Sequence, residues 1–274
     1  MTRRVVLGMI LTVGLLGLSG RLSTNKPQDI SVGGVGLRLS HRTVYEQVGP
    51  GEPVLRLSVE STVAVQPWLV TRMPGGEVLE ALMNDAGNGV WEMALPDLGK
   101  GKRLEYAFVV EGTGGESVRL PSQGGRFLVV KYKGDYSIVV LVLHIIFMFG
   151  AFFFMIQSFM GALWILMGAE GKSHTVGMMR WVMIFTFIGG WPLGFILNYQ
   201  RFGPVWEGFP FGFDITDNKT QIMFLFWVVT VFLVGGSFFG RGEKFDRIGP
   251  RGFAWAVIIS FIVSLSLYIL PHSL

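Results

Sequence analysis

His144, in the segment VLVLHIIFMFG, is the side chain whose type and setting most directly suggest chemistry. It is the only titratable residue well inside a long apolar stretch, where an ionisable group is a candidate for function. At helical spacing it shares a stripe with Met148, Ala151 and Met155, so we expect it to face other helices. Three interpretations stay open: a neutral histidine hydrogen-bonded to a neighbour, a ligand of haem b or of a metal, and a proton relay.

Haem b would need a second axial ligand at a matching depth. The other histidines do not supply it, because His41 lies in a segment with strand character and His174 lies at the opposite end of the neighbouring helix. A partner chain would have to provide that ligand.

Other catalytic sets are missing from the sequence. The chain has no cysteine, which excludes disulfides, iron–sulfur clusters, cysteine-ligated zinc and thiol catalysis. No Ser/His/Asp set, pair of carboxylates or phosphate loop has an interpretable spacing. We therefore expect no resident metal and favour a non-catalytic protein, while enzymatic activity stays uncertain.

The composition indicates a membrane protein. Half of the 274 residues are hydrophobic and 15% are charged, and long stretches after Tyr136 contain no Asp, Glu, Lys or Arg. The formal net charge of +4 does not indicate nucleic acid, because many basic residues lie in short segments between apolar runs. The lipid bilayer is thus an expected partner, and nucleic acid is not.

Residues 1–22 are predicted to be a signal peptide or a signal anchor. Arg3 and Arg4 precede an apolar run of fourteen residues at 5–18. That length is typical of a secretory signal and short for a membrane span. Cleavage and retention remain equally compatible with the pattern, and both deliver the following residues outside the cytoplasm.

Residues 30–133 are predicted to form an extracytoplasmic, immunoglobulin-like antiparallel β-sandwich. Runs of alternating polar and apolar residues are separated by turn segments such as GPGEP and NDAGNG. Seven short strands at this spacing are typical of such a sandwich. They are expected at 36–41, 54–61, 67–73, 89–95, 103–111, 117–120 and 126–132.

Residues 137–270 are predicted to form a four-helix transmembrane domain. Lys and Arg concentrate in the loops that would lie on the same side as Arg3 and Arg4, whereas the loop 200–220 is net negative. The positive-inside rule then predicts a multi-pass protein of the bacterial inner membrane, with the β domain on the periplasmic side. The expected spans are 137–167, 178–199, 221–239 and 253–270.

The second span contains the segment FIGGWPLGF, in which Gly189, Gly190 and Pro192 predict a kink. Proline has no N–H, so the carbonyl of Ile188 loses its usual hydrogen-bond partner. The kink either shapes helix packing or acts as a hinge.

The segment WEGFPFGFDITDNKTQ, residues 206–221, is predicted to be a docking surface for a partner subunit or for the chain's own β domain. Its aromatic residues suit a membrane interface, but a connection of about twenty residues is longer than a helical hairpin needs. Asn218 is expected to cap the third span, with Gln221 returning the hydrogen bond. The predicted docking residues are Trp206, Phe209, Phe211, Asp214 and Asp217.

The segment GVWEMALPDLGKGKRLEYAFVVEG resembles the small early-set immunoglobulin-like domains attached to sugar-acting enzymes, in which a tryptophan strand, a turn and an aromatic strand follow in this order. Trp68 and Trp91 would then be a sugar-stacking platform if they were exposed side by side. A buried tryptophan in a sandwich core is the other interpretation.

These observations predict a non-catalytic membrane subunit of a bacterial envelope complex, which presents the β-sandwich for docking to other subunits. One alternative is an electron-transfer or proton-handling subunit that uses His144 as a haem ligand or relay. A second alternative is a sugar-binding membrane sensor.

Overall fold

Two compact units make up the protein. The computed structural model describes residues 2–23, 26–34, 36–113, 115–122 and 125–270. A β unit contains residues 25–135 with 200–203, and a helical unit contains the described parts of 1–24, 136–199 and 204–274. Each unit has its own hydrophobic core.

The β unit consists of two sheets, which confirms the prediction of a sandwich-like β domain. Its strands are β1 Asp29–Gly34, β2 Leu37–Arg42, β3 Glu46–Val48, β4 Val54–Ser61, β5 Val65–Arg72, β6 Val78–Leu82, β7 Asn84–Gly87, β8 Val90–Ala94, β9 Arg103–Gly112, β10 Ser117–Leu120 and β11 Leu128–Lys133. The first sheet has the order β1-β2-β4-β8-β7, and the second has the order β3-β11-β9-β5-β6, with β10 paired to β9. All described pairs are antiparallel except β3 with β11.

All seven predicted strands are present, as β2, β4, β5, β8, β9, β10 and β11. Alternation revealed them because one face of each long strand is buried, as in β4, where Leu55 and Leu57 are fully buried between exposed neighbours. The sequence did not reveal β1, β3, β6 and β7. All residues of β6 and β7 are exposed, and β3 has three residues, so these strands lack a clear pattern of alternating burial.

The core of the β unit is assembled from both sheets. Leu39, Leu55 and Leu57 of the first sheet belong to one buried cluster with Tyr106 and Phe108 of the second. Each large apolar side chain removed from water in this way contributes about 1.5–3 kcal/mol to folding.

The helical unit contains α1 Thr2–Ser23, α2 Ile138–Leu166, α3 Ser173–Ile188, a π-helical turn Gly189–Leu193, α4 Gly194–Phe202, α5 Ile215–Leu233, α6 Gly235–Phe238, a 3-10 turn Glu243–Phe245 and α7 Pro250–Ile269. Among the residues that the structure describes, three helical segments are long and apolar enough to cross a membrane. They are α2, the continuous segment Ser173–Phe202 that joins α3 to α4, and α7.

The predicted third span is wrong in its bounds. The helix α5 begins at Ile215, before the apolar run, and ends at Leu233, because Val234 leaves the helical conformation. Residues 221–239 are therefore not one helix. An apolar run shows where the chain avoids water, but it does not show where the backbone leaves the helix.

The helices α5 and α7 pack through polar pairs as well as apolar contacts. The indole nitrogen of the fully buried Trp227 donates to Ser264 Oγ at 3.0 Å, and the hydroxyls of Thr230 and Ser260 lie 2.9 Å apart. Such bonds between helices stabilise membrane bundles by about 0.6–2 kcal/mol each.

Candidate docking site

The connection between α4 and α5 is a compact structure held together by Asp217. This buried carboxylate accepts hydrogen bonds from Asn198 Nδ2 at 2.9 Å and from the Glu207 amide at 2.7 Å. The Asp214 amide donates to the Glu207 carbonyl at 2.9 Å and closes the loop. Both carboxylate oxygens of Asp217 are thus used to fix the loop to α4 and α5.

Two glycines allow the loop to close this tightly. A Cβ atom at Gly208 would lie 2.6 Å from the Trp206 ring and 2.9 Å from Asp217 Cβ. At Gly212 it would lie 2.4 Å from the Glu207 carbonyl oxygen. Any other residue at either position would displace the backbone or the ring.

Trp206 packs against the side of the preceding helical segment. Its ring stacks on Trp191, with centroids 6.3 Å apart and planes at 14°, and meets Phe195 edge to face at 5.7 Å. Trp191 lies eleven residues before Phe202, the last residue of α4. Eleven residues correspond to about 16 Å along a helix axis. The loop therefore folds back along this segment and does not project freely.

Three phenylalanines on this fixed frame are exposed. Phe209, Phe211 and Phe213 expose 60%, 85% and 86% of their surface. The predicted docking set therefore divides by role. Trp206, Asp214 and Asp217 build the loop, whereas Phe209 and Phe211 have exposed rings. Sequence reasoning did not include Phe213 in the set, although the alternation FPFGF places it with the other two.

The predicted helix cap is wrong. Asp214 is the N-cap of α5, and its side chain accepts hydrogen bonds from the amides of Thr216 and Asp217. Asn218 lies inside the helix, and its Oδ1 accepts a hydrogen bond from the Phe209 amide at 2.8 Å. The prediction assumed that the helix begins where the apolar run begins, near Gln221. The helix instead begins at Ile215 with a largely polar first turn.

The last turn of α4, with Gly203, belongs to the β unit. The Gly134 amide donates to the Arg201 carbonyl at 2.9 Å, and the Arg201 guanidinium donates to the Gly134 carbonyl at 3.1 Å. Residues 200–203 are thus tied to the end of the segment that follows β11.

His144 hydrogen-bonds to a neighbouring helix. Its Nδ1 lies 2.9 Å from the Gly189 carbonyl oxygen, so Nδ1 carries the proton and donates it. In the neutral ring, the Nε2 atom then holds a lone pair. A haem or relay role for His144 stays a prediction.

The predicted kink region contains the π-helical turn, which includes Gly189, Gly190 and Pro192. The Gly194 amide reaches the Gly189 carbonyl, a bond across five residues, and the same carbonyl accepts the bond from His144. A Cβ atom at Gly189 would lie 2.9 Å from Met148 Sδ and 3.1 Å from Phe147 Cβ. Such turns are frequent at functional sites, and a hinge role for this one stays a prediction.

Trp68 and Trp91 are not side by side. Trp91 lies on β8 in the first sheet, opposite the buried Leu57, and packs against the sandwich core. Trp68 lies on β5 in the second sheet, opposite Leu82 and Val109. The two rings therefore do not form the stacking platform that the sugar-sensor hypothesis requires.

Sequence reasoning missed a buried set of hydrogen bonds that joins the two sheets. His41 Nδ1 lies 2.6 Å from the Arg56 carbonyl oxygen, and Nε2 lies 2.9 Å from the Tyr106 hydroxyl. The same hydroxyl accepts a hydrogen bond from the Val44 amide. Burial lowers the pKa of His41 below its usual value, although the bond to Arg56 opposes this, and burial raises the pKa of Tyr106 to about 12.

A buried ion pair was also missed. Lys172, before α3, contacts Asp246, which follows the 3-10 turn, and Asp246 also accepts hydrogen bonds from the Ser237 amide and hydroxyl. Burial alone would raise the pKa of Asp246, but the hydrogen bonds from Lys172 and Ser237 outweigh it and lower the pKa. The sequence showed Lys172 only as part of a charge bias between loops.

Within the described residues, no group of three or more His, Asp or Glu side chains has the geometry to hold a metal ion. The buried acids Asp217 and Asp246 are each satisfied by hydrogen bonds from amides and cations.

Comparison with known proteins identifies no family for this chain, because no protein-family model and no curated protein matches it. A solved structure described as "Crystal structure of Br derivative BhCBM56" matches 37% of this chain and 97% of its own, with 19% identity and a TM-score of 0.25. A β-1,2-glucanase from Parabacteroides distasonis matches 87% of this chain with 8% identity and a TM-score of 0.24, and this chain covers 34% of that enzyme. At these scores neither likeness bears on fold or function.

Proposed function

We propose that this protein is a non-catalytic, multi-pass subunit of a bacterial envelope complex in the inner membrane. Its immunoglobulin-like β unit lies on the periplasmic side, and both this unit and the loop 204–214 serve as docking sites for other subunits. The observation that carries the proposal is the set of three exposed phenylalanines on a loop that is fixed by its own hydrogen bonds.

A prebuilt aromatic loop suits docking because little conformational entropy is lost when a partner binds. The Asp217 carboxylate and the Trp206 stack already fix the loop backbone. Exposed aromatic anchors on a rigid frame are the kind of residue that dominates interface energy, with losses of about 2 kcal/mol or more on truncation.

The charge distribution supports the proposed orientation. In the helical unit Arg4 pairs with Glu170 at 2.8 Å, so the N-terminal arginines lie at the same end as the loop between α2 and α3. The basic residues Arg241, Lys244, Arg247 and Arg251 lie in or beside the connection between α6 and α7. The positive-inside rule places these segments in the cytoplasm.

A fourth span completes the proposed membrane domain. The helix α5 has nineteen residues, which is about 28 Å of rise. Its first seven residues, ITDNKTQ, are largely polar, so in this proposal they lie at the membrane interface and the apolar remainder enters the hydrocarbon core. Its bonds to α7 through Trp227 and Thr230 are those of a helix packed inside a bundle.

Paired variants test the docking role. Phe211→Ser with Phe213→Ser removes two exposed rings and leaves the Asp217 and Trp206 contacts in place. Phe239→Ser with Phe245→Ser is the matched control, because these phenylalanines are also exposed and belong to the α6 and 3-10 turn region. We expect the first variant alone to lose co-purifying subunits while its abundance in native membranes stays normal.

Two results would contradict docking by the loop. An unchanged set of co-purifying subunits would leave the phenylalanines as anchors in the lipid interface. Equal loss of co-purifying subunits in both variants would show that the loss follows from removing exposed aromatic residues in general and not from the loop.

A second candidate function rests on His144. Its Nδ1–H···O bond to Gly189 orients the ring, and in the neutral ring Nε2 is then the unprotonated nitrogen, which is the arrangement typical of metal-bound histidines. Haem binding would give the purified complex a Soret band that disappears in His144→Ala and persists in His174→Ala. If no such band is present in the wild-type complex, this candidate fails.

A further inference from the structure

The strand β6 is an exposed apolar edge of the β unit. It terminates the second sheet and pairs only with β5 among the described strands. Val78, Leu79 and Leu82 expose 49%, 66% and 45% of their surface. A five-residue strand with this composition is a template for another strand unless it is protected.

The hydrogen-bond register shows which backbone groups of β6 face outward. The Met83 amide donates to the Pro67 carbonyl at 3.1 Å, so these two residues form a hydrogen-bonded pair. In an antiparallel ladder such pairs alternate with non-bonded ones. Because Leu82 is opposite Trp68 and Glu80 is opposite Val70, the N–H and C=O groups of Val78, Glu80 and Leu82 point away from β5.

Other edges of the sandwich carry protective features that β6 lacks. The strand β3 has three residues, β7 contains a register shift between Asp85 and Gly87, and β1 ends in two glycines. Short length, bulges and glycine all weaken pairing with an added strand. The strand β6 has no glycine, proline or bulge.

The charges on β6 and directly before it are negative. Glu77 precedes β6 and Glu80 lies on it, and both are exposed. Arg72 of β5 lies opposite Val78, but its guanidinium is paired with Glu105 at 2.5 Å. An apolar edge with this charge favours an extended partner that carries basic residues.

We propose that β6 takes up an extended basic segment of a partner protein as an added antiparallel strand. The inference deepens the proposed docking function of the β unit and rests on it. The backbone of the incoming segment bonds to Val78, Glu80 and Leu82. A Lys or Arg lies opposite Glu80, and apolar residues on either side of it cover Leu79 and Ala81.

A second copy of this chain fits the edge less well. In a symmetric antiparallel pair of β6 strands centred on the strand, Glu80 would lie opposite Glu80 of the other copy, and directly opposed like charges destabilise a sheet. A basic segment replaces this repulsion with attraction.

The probe for the test is a synthetic heptapeptide of alternating valine and lysine, acetylated and amidated at its ends and labelled with a fluorophore. Binding to the full-length protein in lipid nanodiscs is followed by fluorescence anisotropy, and hydrogen exchange locates the protected amides. A second peptide with the same charge carries N-methyl groups on alternate residues, which block strand pairing. We expect the plain peptide to bind at least about tenfold more tightly and to protect the amides of residues 78–82.

Two variants separate the backbone amide from the charge. Glu80→Gln removes the carboxylate and keeps the outward N–H, whereas Glu80→Pro removes both without removing a bond to β5. We expect Glu80→Gln to weaken binding by about threefold and Glu80→Pro by at least about tenfold. Exchange rates of the β5 amides show whether the sandwich remains folded in each variant.

Equal binding of the N-methylated peptide, or protection at a site other than β6, would overturn the proposal in favour of general electrostatic adhesion. Absence of binding would overturn it as well, and a dimer that forms without peptide and is lost in Glu80→Pro would assign the edge to a second copy. The outcome is independent of the phenylalanine variants, because the peptide experiment uses no co-purified subunit.

Discussion

The side-chain amide of Gln157 in α2 donates a hydrogen bond to the main-chain carbonyl of Arg4 in α1, at 3.1 Å. The Arg4 side chain pairs with Glu170 and lies 4.0 Å above the Trp164 ring. Leu15 of α1 belongs to the core of the helical unit. The helix α1 thus makes specific contacts that a cleaved signal peptide would not need.

We predict that α1 is retained in the mature protein and that a matched pair of glycine variants will show it. A Cβ atom at Gly8 would lie 2.3 Å from Gln157 Nε2, whereas nothing lies within 4 Å of one at Gly14. Gly8→Val should therefore lower the thermal stability of the purified protein, and Gly14→Val should not. Both changes raise the hydrophobicity of the segment equally, so any effect on export is the same in the two variants and does not explain a difference in stability.

Intact mass measurement of the purified protein provides the direct check. A mature chain that begins after residue 20 or so, or equal stability of the two glycine variants, would contradict retention of α1.

Removing the cap of α5 should destabilise the loop more than removing the interior asparagine. Asp214→Ala loses both capping bonds, to Thr216 and Asp217, and we expect a cost of about 0.5–2 kcal/mol. Asn218→Ala loses only the bond from the Phe209 amide. Hydrogen exchange of residues 215–218 measures the difference, and a larger effect of Asn218→Ala would indicate that Asn218 caps α5 in solution.

The π-helical turn should tolerate loss of the proline better than loss of the glycine. Pro192→Ala supplies an extra N–H, so we expect membrane abundance and partner recovery to stay near normal. Gly189→Ala should reduce abundance, because the new methyl group meets Met148 and Phe147. Gly194→Ala is the control, since the nearest atom to its added carbon lies 3.5 Å away.

Normal abundance with lost function in Pro192→Ala would identify the turn as a hinge. In that case the bend itself, and not only the packing of Gly189, would be required.

The β unit should become less stable as the pH falls below 6.5, the usual pKa of histidine. The pKa of His41 is lowered in the folded state by burial, so the unfolded chain binds a proton that the folded chain does not. Stability therefore rises with pH between the folded pKa and 6.5, and is lost as pH decreases through this window. Hydrogen exchange of the β9 amides at pH about 5 and about 7, corrected for intrinsic rates, measures the effect.

His41→Gln should flatten this pH dependence, because glutamine does not titrate. Tyr106→Phe should instead lower stability at all pH values by about 1–3 kcal/mol, since it leaves His41 Nε2 without its partner. A pH dependence that persists in His41→Gln would assign the effect to another group.

The proposed orientation can be tested with a reporter that is active only outside the cytoplasm. We predict activity for a fusion at Gly212, in the loop before α5, and none at Gly242, beside the 3-10 turn. A fusion at Gly114, which lies outside the described residues, should be active as well. Activity at Gly242 would contradict the arrangement inferred from the basic loops.

The sequence by itself determined the features that depend on local pattern. Period-two alternation located seven of the strands, and the pattern was clearest where one face is buried, as in β4 and β9. Uninterrupted apolar runs located α2, the helical segment that contains Pro192, and α7. The residues GGWP were sufficient to locate the irregular turn, since a proline inside a helix removes one backbone hydrogen bond whatever the tertiary structure.

Only the tertiary structure decided the features that depend on residues far apart in the chain. Asp217 holds the loop because folding brings Asn198 and the Glu207 amide to its two oxygens. The cap at Asp214 and the separation of Trp68 from Trp91 follow from backbone turns and strand order, which leave no periodic signal. The edge position of β6 was hidden for the same reason: an exposed strand has no buried face to mark it, and its lack of a further neighbour is a property of the whole sheet.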